Sequence, residues 1–454
     1  MITLLLLLAA CTSTPTSDDT DPGTQGFVPD MPISGCGLAP YTWQSTETMG
    51  EVLHYEYQDA SSVTVGLLRG LFASYGATGF NPTYDIQTYR IRYRTQDRGE
   101  PIDATALVSF PVVDQPQDFP SLLWVRPTVG FSDDCAPSGG AATDQLASVL
   151  LASFGYVVVA PDLIGMRSSG GASPELHPYA VPEPTAIAAL DSLRALWRFA
   201  DGEGQPGIPA HPTHRTVFWG ASEGGFGALW ADRYAGAYLP EAEILGVIAA
   251  VPPTDMSGIA HAAVGSYIDA TEGMAAVLTT SHQWYRGTAP LTDLFTDVAP
   301  AFAASNVEAA LWGSCSDGPD PFGQTSSVAD IYQQSIIDAF STGDWAASEP
   351  WSCYLQAGDL RSSPVVRQST APVLYPIGEL DDLVVGATGR ADAPRLCEAG
   401  YQLEYIECAN DGHVDAAANS LPYQLAWAAA RVAGDPVGET CVFPSPVDCA
   451  TLVP

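Results

Sequence analysis

Short apolar runs recur along the chain and are separated by segments with helical spacing. From residue 85 to 112, apolar and polar positions alternate on both sides of a turn at 97–101, which predicts a β-hairpin. Further on, continuous apolar runs predict strands buried on both faces, at residues 122–125, 155–160, 216–219, 245–251, 373–377 and 401–406. Helical spacing is found between them at residues 141–154, 183–199, 225–231 and 416–432. This interleaving predicts an α/β fold with a mainly parallel central sheet flanked by helices.

Residues 254–365 interrupt this alternation. They contain no strong strand pattern, many aromatic residues and several helical spacings. An insertion between two core strands would lie over the C-terminal ends of the strands, where open α/β sheets bind ligands. We therefore predict a helical cap or lid at 254–365 that forms an apolar pocket over a core made of 41–253 and 366–454. The alternative is a separate helical subdomain with no role in substrate binding.

The charge balance limits the partners of the chain. The 454 residues carry a formal net charge of −35, and all 17 basic residues are arginines. So few basic residues cannot form a patch that contacts phosphates, so we predict no nucleic-acid binding. With 46% apolar residues, the chain can bury a large core.

The first residues have the pattern of a bacterial export signal. Ile2 to Ala10 is an apolar stretch too short to cross a bilayer as a helix, and it ends in Leu-Ala-Ala before Cys11. This ending resembles a lipobox, so residues 1–11 are predicted to be a lipoprotein signal peptide and lipobox with Cys11 as the lipid attachment site. The positive charge usual at the start of such signals is missing. Polar, turn-rich residues follow, and 12–40 is predicted to be a flexible tether.

These features predict an exported protein, a cell-surface or outer-membrane lipoprotein that meets the membrane only through its N-terminal lipid. The alternative is a secreted protein with an ordinary signal peptide. Eight cysteines remain besides Cys11, an even number that predicts up to four disulfides. Spacing leaves the pairing open, and our working hypothesis is Cys441–Cys449, Cys397–Cys408, Cys315–Cys353 and Cys36–Cys135. Zinc is the other use of cysteine, but no C-x-x-C or H-x-x-x-H pair exists, so we expect neither metal nor organic cofactor.

The sequence Gly220-Ala221-Ser222-Glu223-Gly224 stands between a predicted strand and a predicted helix. In that context G-x-S-x-G indicates a nucleophile elbow, a sharp turn that exposes the serine. A serine hydroxyl is a weak nucleophile until a base takes its proton, so Ser222 needs a histidine and an acid that orients it. The alternative is an ordinary glycine-rich turn.

The acid and the base are expected after the serine, in the order acid then histidine. Asp381 follows the strand at 373–377, and His413 is the one histidine after it, on a predicted loop. We assign Asp381 as the orienting acid and His413 as the general base. The rival carboxylates are Asp382, Glu379 and Asp255.

An oxyanion hole needs two N–H groups aimed at one point. One is expected from Glu223, directly after the nucleophile, and the other from the loop after the strand at 122–125. We assign the second to Thr128. An ordinary exit from strand to loop is the alternative.

These residues together resemble a known group, the α/β-hydrolases of the secreted lipase family that includes fungal A-type lipases and related bacterial esterases. Besides the elbow, the shared motifs are Tyr93 to Pro111, Cys135 to Ser138, Gly155 to Asp162, Asp191 to Ala195, Gly378 to Asp381, and Gly412-His413. The resemblance implies serine-dependent hydrolysis of carboxylic esters beneath a helical cap. One departure is Arg126-Pro127, where the family usually has His-Gly; proline has no N–H and restricts the residue before it, which affects the loop that carries Thr128.

We therefore predict a lipase or esterase that acts through an acyl-enzyme on Ser222, with a small-molecule or lipid ester as substrate. Two alternatives remain from the sequence. One is a peptidase or acyl-aminoacyl hydrolase on the same scaffold, and the other is a non-catalytic surface binding protein.

Overall fold

The computed structural model describes residues 35–74, 81–140, 145–202, 207–315 and 325–452. The predicted signal peptide, the lipid attachment site Cys11 and most of the predicted tether lie outside the described residues. None of the helices within these ranges is long and apolar enough to cross a membrane.

The strands of the described residues form one sheet. They are β1 Val52–Tyr57, β2 Ile86–Asp97, β3 Glu100–Pro111, β4 Gln117–Val125, β5 Val157–Pro161, β6 Ala210–Ala221, β7 Glu243–Ala250, β8 Val373–Gly378 and β9 Leu403–Cys408. Their order across the sheet is β1-β2-β3-β5-β4-β6-β7-β8-β9. The strands from β5 to β9 in that order run parallel, and β1, β2 and β3 extend the sheet antiparallel at one edge.

The helices lie on both faces of the sheet and in one long insertion. They are α1 Val65–Ser74, α2 Leu146–Ser153, α3 Pro182–Asp201, α4 Glu223–Tyr238, α5 Met256–Gly265, α6 Asp269–Trp284, α7 Val307–Trp312, α8 Val328–Ile331, α9 Gln334–Thr342, α10 Trp351–Gly358, α11 Gly386–Glu398, α12 His413–Asn419 and α13 Leu421–Ala433. Helices α5 to α10 all fall between β7 and β8. The predicted α/β class, with a mainly parallel sheet and a helical insertion, is confirmed.

Neighbouring residues of the central strands enter opposite cores. Leu123 and Val125 of β4 pack in the core that contains α3 and α4, whereas Leu122 packs in a second core with α2 and α13. A strand covered on both faces needs apolar residues at every position, which explains the continuous apolar runs. The hairpin of β2 and β3 is also confirmed, and its turn at Arg98 and Gly99 has both residues at positive φ.

Some elements differ from the sequence prediction. Strand β1 and helices α1 and α11 were not predicted; β1 is a half-exposed edge strand and lacks an apolar run. The predicted last helix, 416–432, is two helices that meet at Ser420. The predicted tether also ends early, because Cys36 is bonded to Cys353 of the cap and Leu38 packs against the main core.

All four hypothetical disulfide pairings are wrong. The pairs are Cys36–Cys353, Cys135–Cys315, Cys397–Cys441 and Cys408–Cys449. The hypothesis paired the C-terminal cysteines with close sequence neighbours, but the C-terminal tail turns back along β9. There the Cys441 N–H donates to the Leu403 carbonyl at 2.7 Å and Val447 pairs with Cys408, so each tail cysteine meets a cysteine of the core.

Candidate active site

The turn between β6 and α4 holds Ser222 in a strained conformation. Its φ and ψ are 56° and −124°, a region that residues with a side chain rarely adopt. Glycines make the turn possible: a Cβ on Gly220 would lie 2.0 Å from the Gly224 carbonyl oxygen, and a Cβ on Gly224 would lie 2.0 Å from that of Val125. The turn therefore has the geometry expected of a nucleophile elbow, with Ser222 at its apex.

The structure brings Ser222, His413 and Asp381 together. His413 Nε2 lies 2.8 Å from Ser222 Oγ, and its Nδ1 lies 2.7 Å from Asp381 Oδ2. A carboxylate only accepts, so Nδ1 carries the proton and Nε2 presents its lone pair to the serine hydroxyl. This is the tautomer that a general base for Ser222 requires.

Asp381 is held in place by its own loop. Its other oxygen, Oδ1, accepts hydrogen bonds from the N–H groups of Leu383 at 3.0 Å and Val384 at 2.9 Å. The side chain is 2% exposed. Hydrogen bonds to a buried carboxylate stabilise its charged form, so Asp381 can orient the imidazole and stabilise the imidazolium.

The rival carboxylates have other surroundings. Asp382 is exposed, Glu379 accepts from the N–H of Asn410 at 2.9 Å, and Asp255 caps α5 through the N–H of Gly258. His413 is the first residue of α12 rather than a loop residue. The loops that carry acid and base also touch, since a Cβ on Gly378 would lie 2.7 Å from the Gly412 carbonyl oxygen.

The two residues assigned to the oxyanion hole lie on segments that meet at the elbow. Glu223 is the first residue of α4, where N–H groups have no partner within the helix and the helix dipole is positive. Thr128 follows β4, and the carbonyl oxygens of Val125 and Arg126 lie close to Gly224. Its hydroxyl donates to Tyr179 Oη at 3.0 Å.

Arg126 and Pro127 lie between the end of β4 and Thr128. Arg126 is buried and Pro127 is exposed. Burial raises the pKa of Asp162, and the positive charge of Arg126 partly opposes that rise. The charge of Arg126 thus acts on buried Asp162, and the first residue with an N–H after Pro127 is Thr128.

A small cavity of about 40 Å³ adjoins Ser222. Its walls are mostly apolar and come from the cap helices α5 and α6, the Asp381 loop, the elbow and the segment before α3. The lining residues are Tyr179, Ala180, Ser222, Glu223, Pro253, Met256, Ile259, Ala270, Gly273, Met274, Val277, Leu383 and Val384. The cap thus forms one side of the space in which a group attached to Ser222 would lie.

A larger cavity of about 590 Å³ is lined by none of Ser222, Asp381 and His413, the three residues of the candidate catalytic triad. Four of its charged lining residues pair with each other: Arg98 bonds to Asp97 at 2.6 Å and to Glu175 at 2.9 Å, and Arg286 also contacts Glu175. The smaller cavity, in contrast, adjoins Ser222.

Two polar residues near the elbow were missed in the sequence. His177 contacts the Glu223 side chain, and Tyr179 contacts Thr128. No motif distinguishes them, because they lie on an irregular segment far from Ser222 in the chain. A buried histidine that follows no catalytic order gives no signal in one sequence.

Residues 141–293, about a third of the chain, match the secretory lipase family. That region contains the elbow and the first cap helices, while Asp381 and His413 lie beyond it. No curated protein sequence matches the chain.

Solved structures share the fold. The rice cell wall degrading esterase LipA from Xanthomonas oryzae is 20% identical, with 85% of this chain and 97% of that chain covered and a TM-score of 0.65. Lipase A from Candida antarctica in its closed state is 15% identical over 96% and 91% of the two chains, with a TM-score of 0.64. A putative hydrolase from Legionella pneumophila is 17% identical over 85% and 100%, with a TM-score of 0.71.

The chain has the α/β-hydrolase fold, and part of it resembles the secretory lipases. The family match supports an ester hydrolase. Together with the four disulfides, the family match also indicates an exported protein.

Proposed function

We propose that this protein is a serine-dependent carboxylic ester hydrolase that works through an acyl-enzyme on Ser222. The observation that supports this most strongly is the hydrogen-bonded chain from Ser222 through His413 to Asp381, at 2.8 and 2.7 Å. All three side chains come from segments that follow parallel strands at one edge of the sheet. That arrangement has a direct chemical use, which is to remove a proton from an alcohol.

Acylation begins when Ser222 Oγ attacks the ester carbonyl and His413 Nε2 takes its proton. Negative charge then develops on the former carbonyl oxygen, where the N–H groups of Glu223 and Thr128 stabilise it. His413 returns the proton to the leaving alcohol, and the acyl group stays on Ser222. Asp381 stabilises the imidazolium while it exists.

Deacylation repeats these steps with water as the nucleophile. His413 removes a proton from water, the hydroxide attacks the acyl carbon, and the proton returns to Ser222 Oγ as the acid leaves. Most residues that line the cavity are apolar, and its one carboxylate residue, Glu223, contacts His177, so the walls suit an apolar acyl group. We therefore propose an uncharged acyl group, and its size is limited by the cavity beside Ser222.

The proposed location is the bacterial cell surface or outer membrane. Cys11 would carry the lipid, and the membrane contact would be limited to that anchor. The net charge of −35 would repel the domain from anionic lipid surfaces, so the substrate is proposed to reach the site as a small-molecule or dispersed lipid ester.

The test is turnover of p-nitrophenyl esters of graded acyl length against peptide p-nitroanilides. We expect ester hydrolysis with kcat/KM well above that for the anilides, and a loss of about six orders of magnitude in kcat for Ser222→Ala. Ser305→Ala, on the exposed cap surface, is the matched control and should keep the wild-type rate. Faster cleavage of the anilides would favour the peptidase alternative, and undiminished ester turnover by Ser222→Ala would overturn the proposal.

A further inference from the structure

A buried acid and a buried histidine meet directly beneath the elbow. Glu223 Oε1 lies 2.5 Å from His177 Nε2, and the two side chains are 3% and 0% exposed. The other ring nitrogen, His177 Nδ1, lies 2.7 Å from the carbonyl oxygen of Ile164. Neither side chain belongs to the triad, yet Glu223 is the residue after the nucleophile.

The contacts fix the charge of this pair. A carbonyl oxygen only accepts, so Nδ1 of His177 carries a proton. If Glu223 were ionised and His177 neutral, the lone pair on Nε2 would face a lone pair on the carboxylate at 2.5 Å. A proton therefore lies between the two atoms, and the pair is neutral overall whether the proton is closer to oxygen or nitrogen.

Tyr179, two residues along the same segment, reaches the other side of the site. It accepts the hydrogen bond from the Thr128 hydroxyl at 3.0 Å, and its ring lines the cavity beside Ser222. Segment 177–179 thus contacts the side chains of Glu223 and Thr128, the two residues whose N–H groups form the proposed oxyanion hole.

The segment is itself firmly held. The N–H of His177 donates to the Phe131 carbonyl at 2.8 Å, and the N–H of Tyr179 donates to the Thr280 hydroxyl at 3.2 Å. A Cβ on Gly165 would lie 2.4 Å from the His177 Cα, so the preceding loop packs closely on the same point. A segment fixed in this way can hold others in place.

We infer that His177 and Tyr179 are positioning residues for the oxyanion hole, one for each donor, and that His177 also keeps the Glu223 side chain from carrying an uncompensated charge. An unpaired carboxylate on the residue whose N–H stabilises the oxyanion would repel that oxyanion at short range in a dry site. This inference rests on the proposed ester hydrolysis.

Substitutions of His177 and Glu223 test whether an uncompensated charge on Glu223 slows the reaction. In His177→Ala, Glu223 loses its partner, and we expect kcat to fall by about 10²- to 10³-fold with KM changed less than about threefold, as for loss of one oxyanion donor. In the double variant His177→Ala/Glu223→Gln the charge is removed, and kcat should recover at least about tenfold over His177→Ala. Glu223→Gln alone, whose amide can donate to His177 Nε2, should lose less than His177→Ala.

A second pair of substitutions tests the other donor, the N–H of Thr128. It remains informative if His177→Ala does not fold. Tyr179→Phe and Thr128→Val each remove one hydroxyl and keep every backbone N–H. We expect each to lower kcat several-fold with little change in KM, and the double variant to be no worse than the more affected single variant, because both remove the same contact. Val108→Ala, a core truncation in β3, is the control for a general loss of stability and should keep its kcat per labelled active site.

The outcomes separate this inference from the proposed function. A wild-type protein that hydrolyses no ester would overturn both. If the wild type is active but His177→Ala/Glu223→Gln is as slow as His177→Ala, the proposed role of His177 is overturned. Unchanged kcat in Tyr179→Phe would overturn that of Tyr179, while recovery in the double variant supports the inference.

Discussion

Asp381 binds His413 with one carboxylate oxygen and its own loop with the other. Oδ2 accepts from Nδ1 of His413 at 2.7 Å, and Oδ1 accepts from two backbone N–H groups. The orientation of the imidazole is therefore fixed by the backbone of the Asp381 loop. The neighbouring Asp382 shares the loop and the charge but is exposed.

This relationship predicts very different effects for two adjacent substitutions. Asp381→Asn should lower kcat about 10³- to 10⁴-fold, because an amide that turns its NH₂ towards Nδ1 favours the wrong tautomer of His413. Asp382→Asn should change kcat less than about threefold. Steady-state kinetics with one ester substrate checks both, and a larger loss in Asp382→Asn would assign the acid to that residue.

The cavity beside Ser222 predicts a preference for short acyl groups. Met274 forms part of its wall from cap helix α6, and Met274→Ala removes three side-chain heavy atoms there. The space freed would hold about two more methylenes of the acyl chain, each worth about 0.8 kcal/mol when buried. We therefore expect kcat/KM for hexanoate relative to acetate esters to rise roughly tenfold.

The control for this experiment is Leu311→Ala, which truncates a buried cap residue that does not line the cavity. It should lower stability but leave the ratio of the two esters unchanged. A wild-type optimum at long acyl chains, or equal shifts in both variants, would show that the cavity does not set acyl length.

The sheet was predictable because it is buried on both faces. A run such as 155–160 must be apolar throughout when α2 covers one side and α3 the other, and this signal needs no knowledge of the fold. Strand β1 was not predicted, because it is an edge strand with His54 and Glu56 exposed and has no such apolar run.

Residues of the candidate site were found from local chemistry and chain order. Ser222 was recognised from its strand-turn-helix context, and Asp381 and His413 from their place after it. His177 and Tyr179 could not be found, because their contacts with Glu223 and Thr128 join segments about 50 residues apart that no pattern links. The predicted disulfide pairing was wrong for the same reason, since Cys36 and Cys353, for example, are 317 residues apart.

The Cys135–Cys315 disulfide predicts a link between the cap and the loop after β4 that carries Thr128. Gly130, two residues after Thr128, pairs with Cys315, and a Cβ there would lie 2.3 Å from the Cys135 sulfur. Replacing both cysteines by alanine should lower the free energy of unfolding by about 2–4 kcal/mol and also lower kcat, because the loop loses its anchor.

Cys397→Ala/Cys441→Ala is the matched control, since that disulfide joins α11 to the C-terminal tail. It should lower the free energy of unfolding and keep kcat per active site. Thermal unfolding and active-site titration measure the two quantities. Equal kcat in both double variants would show that the Cys135–Cys315 disulfide does not affect the oxyanion hole.

Glu183 predicts a pH dependence of stability. Burial raises its pKa from 4.5 to about 7, against hydrogen bonds from Tyr41 and Trp43 that lower it. The folded state therefore holds this proton where the unfolded chain releases it, so the free energy of unfolding falls as pH rises from about 4.5 to about 7.

Glu183→Gln imitates the protonated acid at every pH. Its stability relative to wild type should increase between pH 4.5 and pH 8, by up to about 3 kcal/mol. Unfolding by urea at the two pH values measures the difference. A difference that is the same at both pH values would show that Glu183 titrates alike in the folded and unfolded chains.

The most direct test of the central assignment is covalent labelling with a fluorophosphonate, followed by peptide mapping. We expect one phosphonyl group per molecule, attached to Ser222, and labelling at least about 10³-fold slower in His413→Gln, because the serine then lacks its base. A phosphonyl group on another residue, or wild-type labelling of Ser222 in His413→Gln, would contradict it.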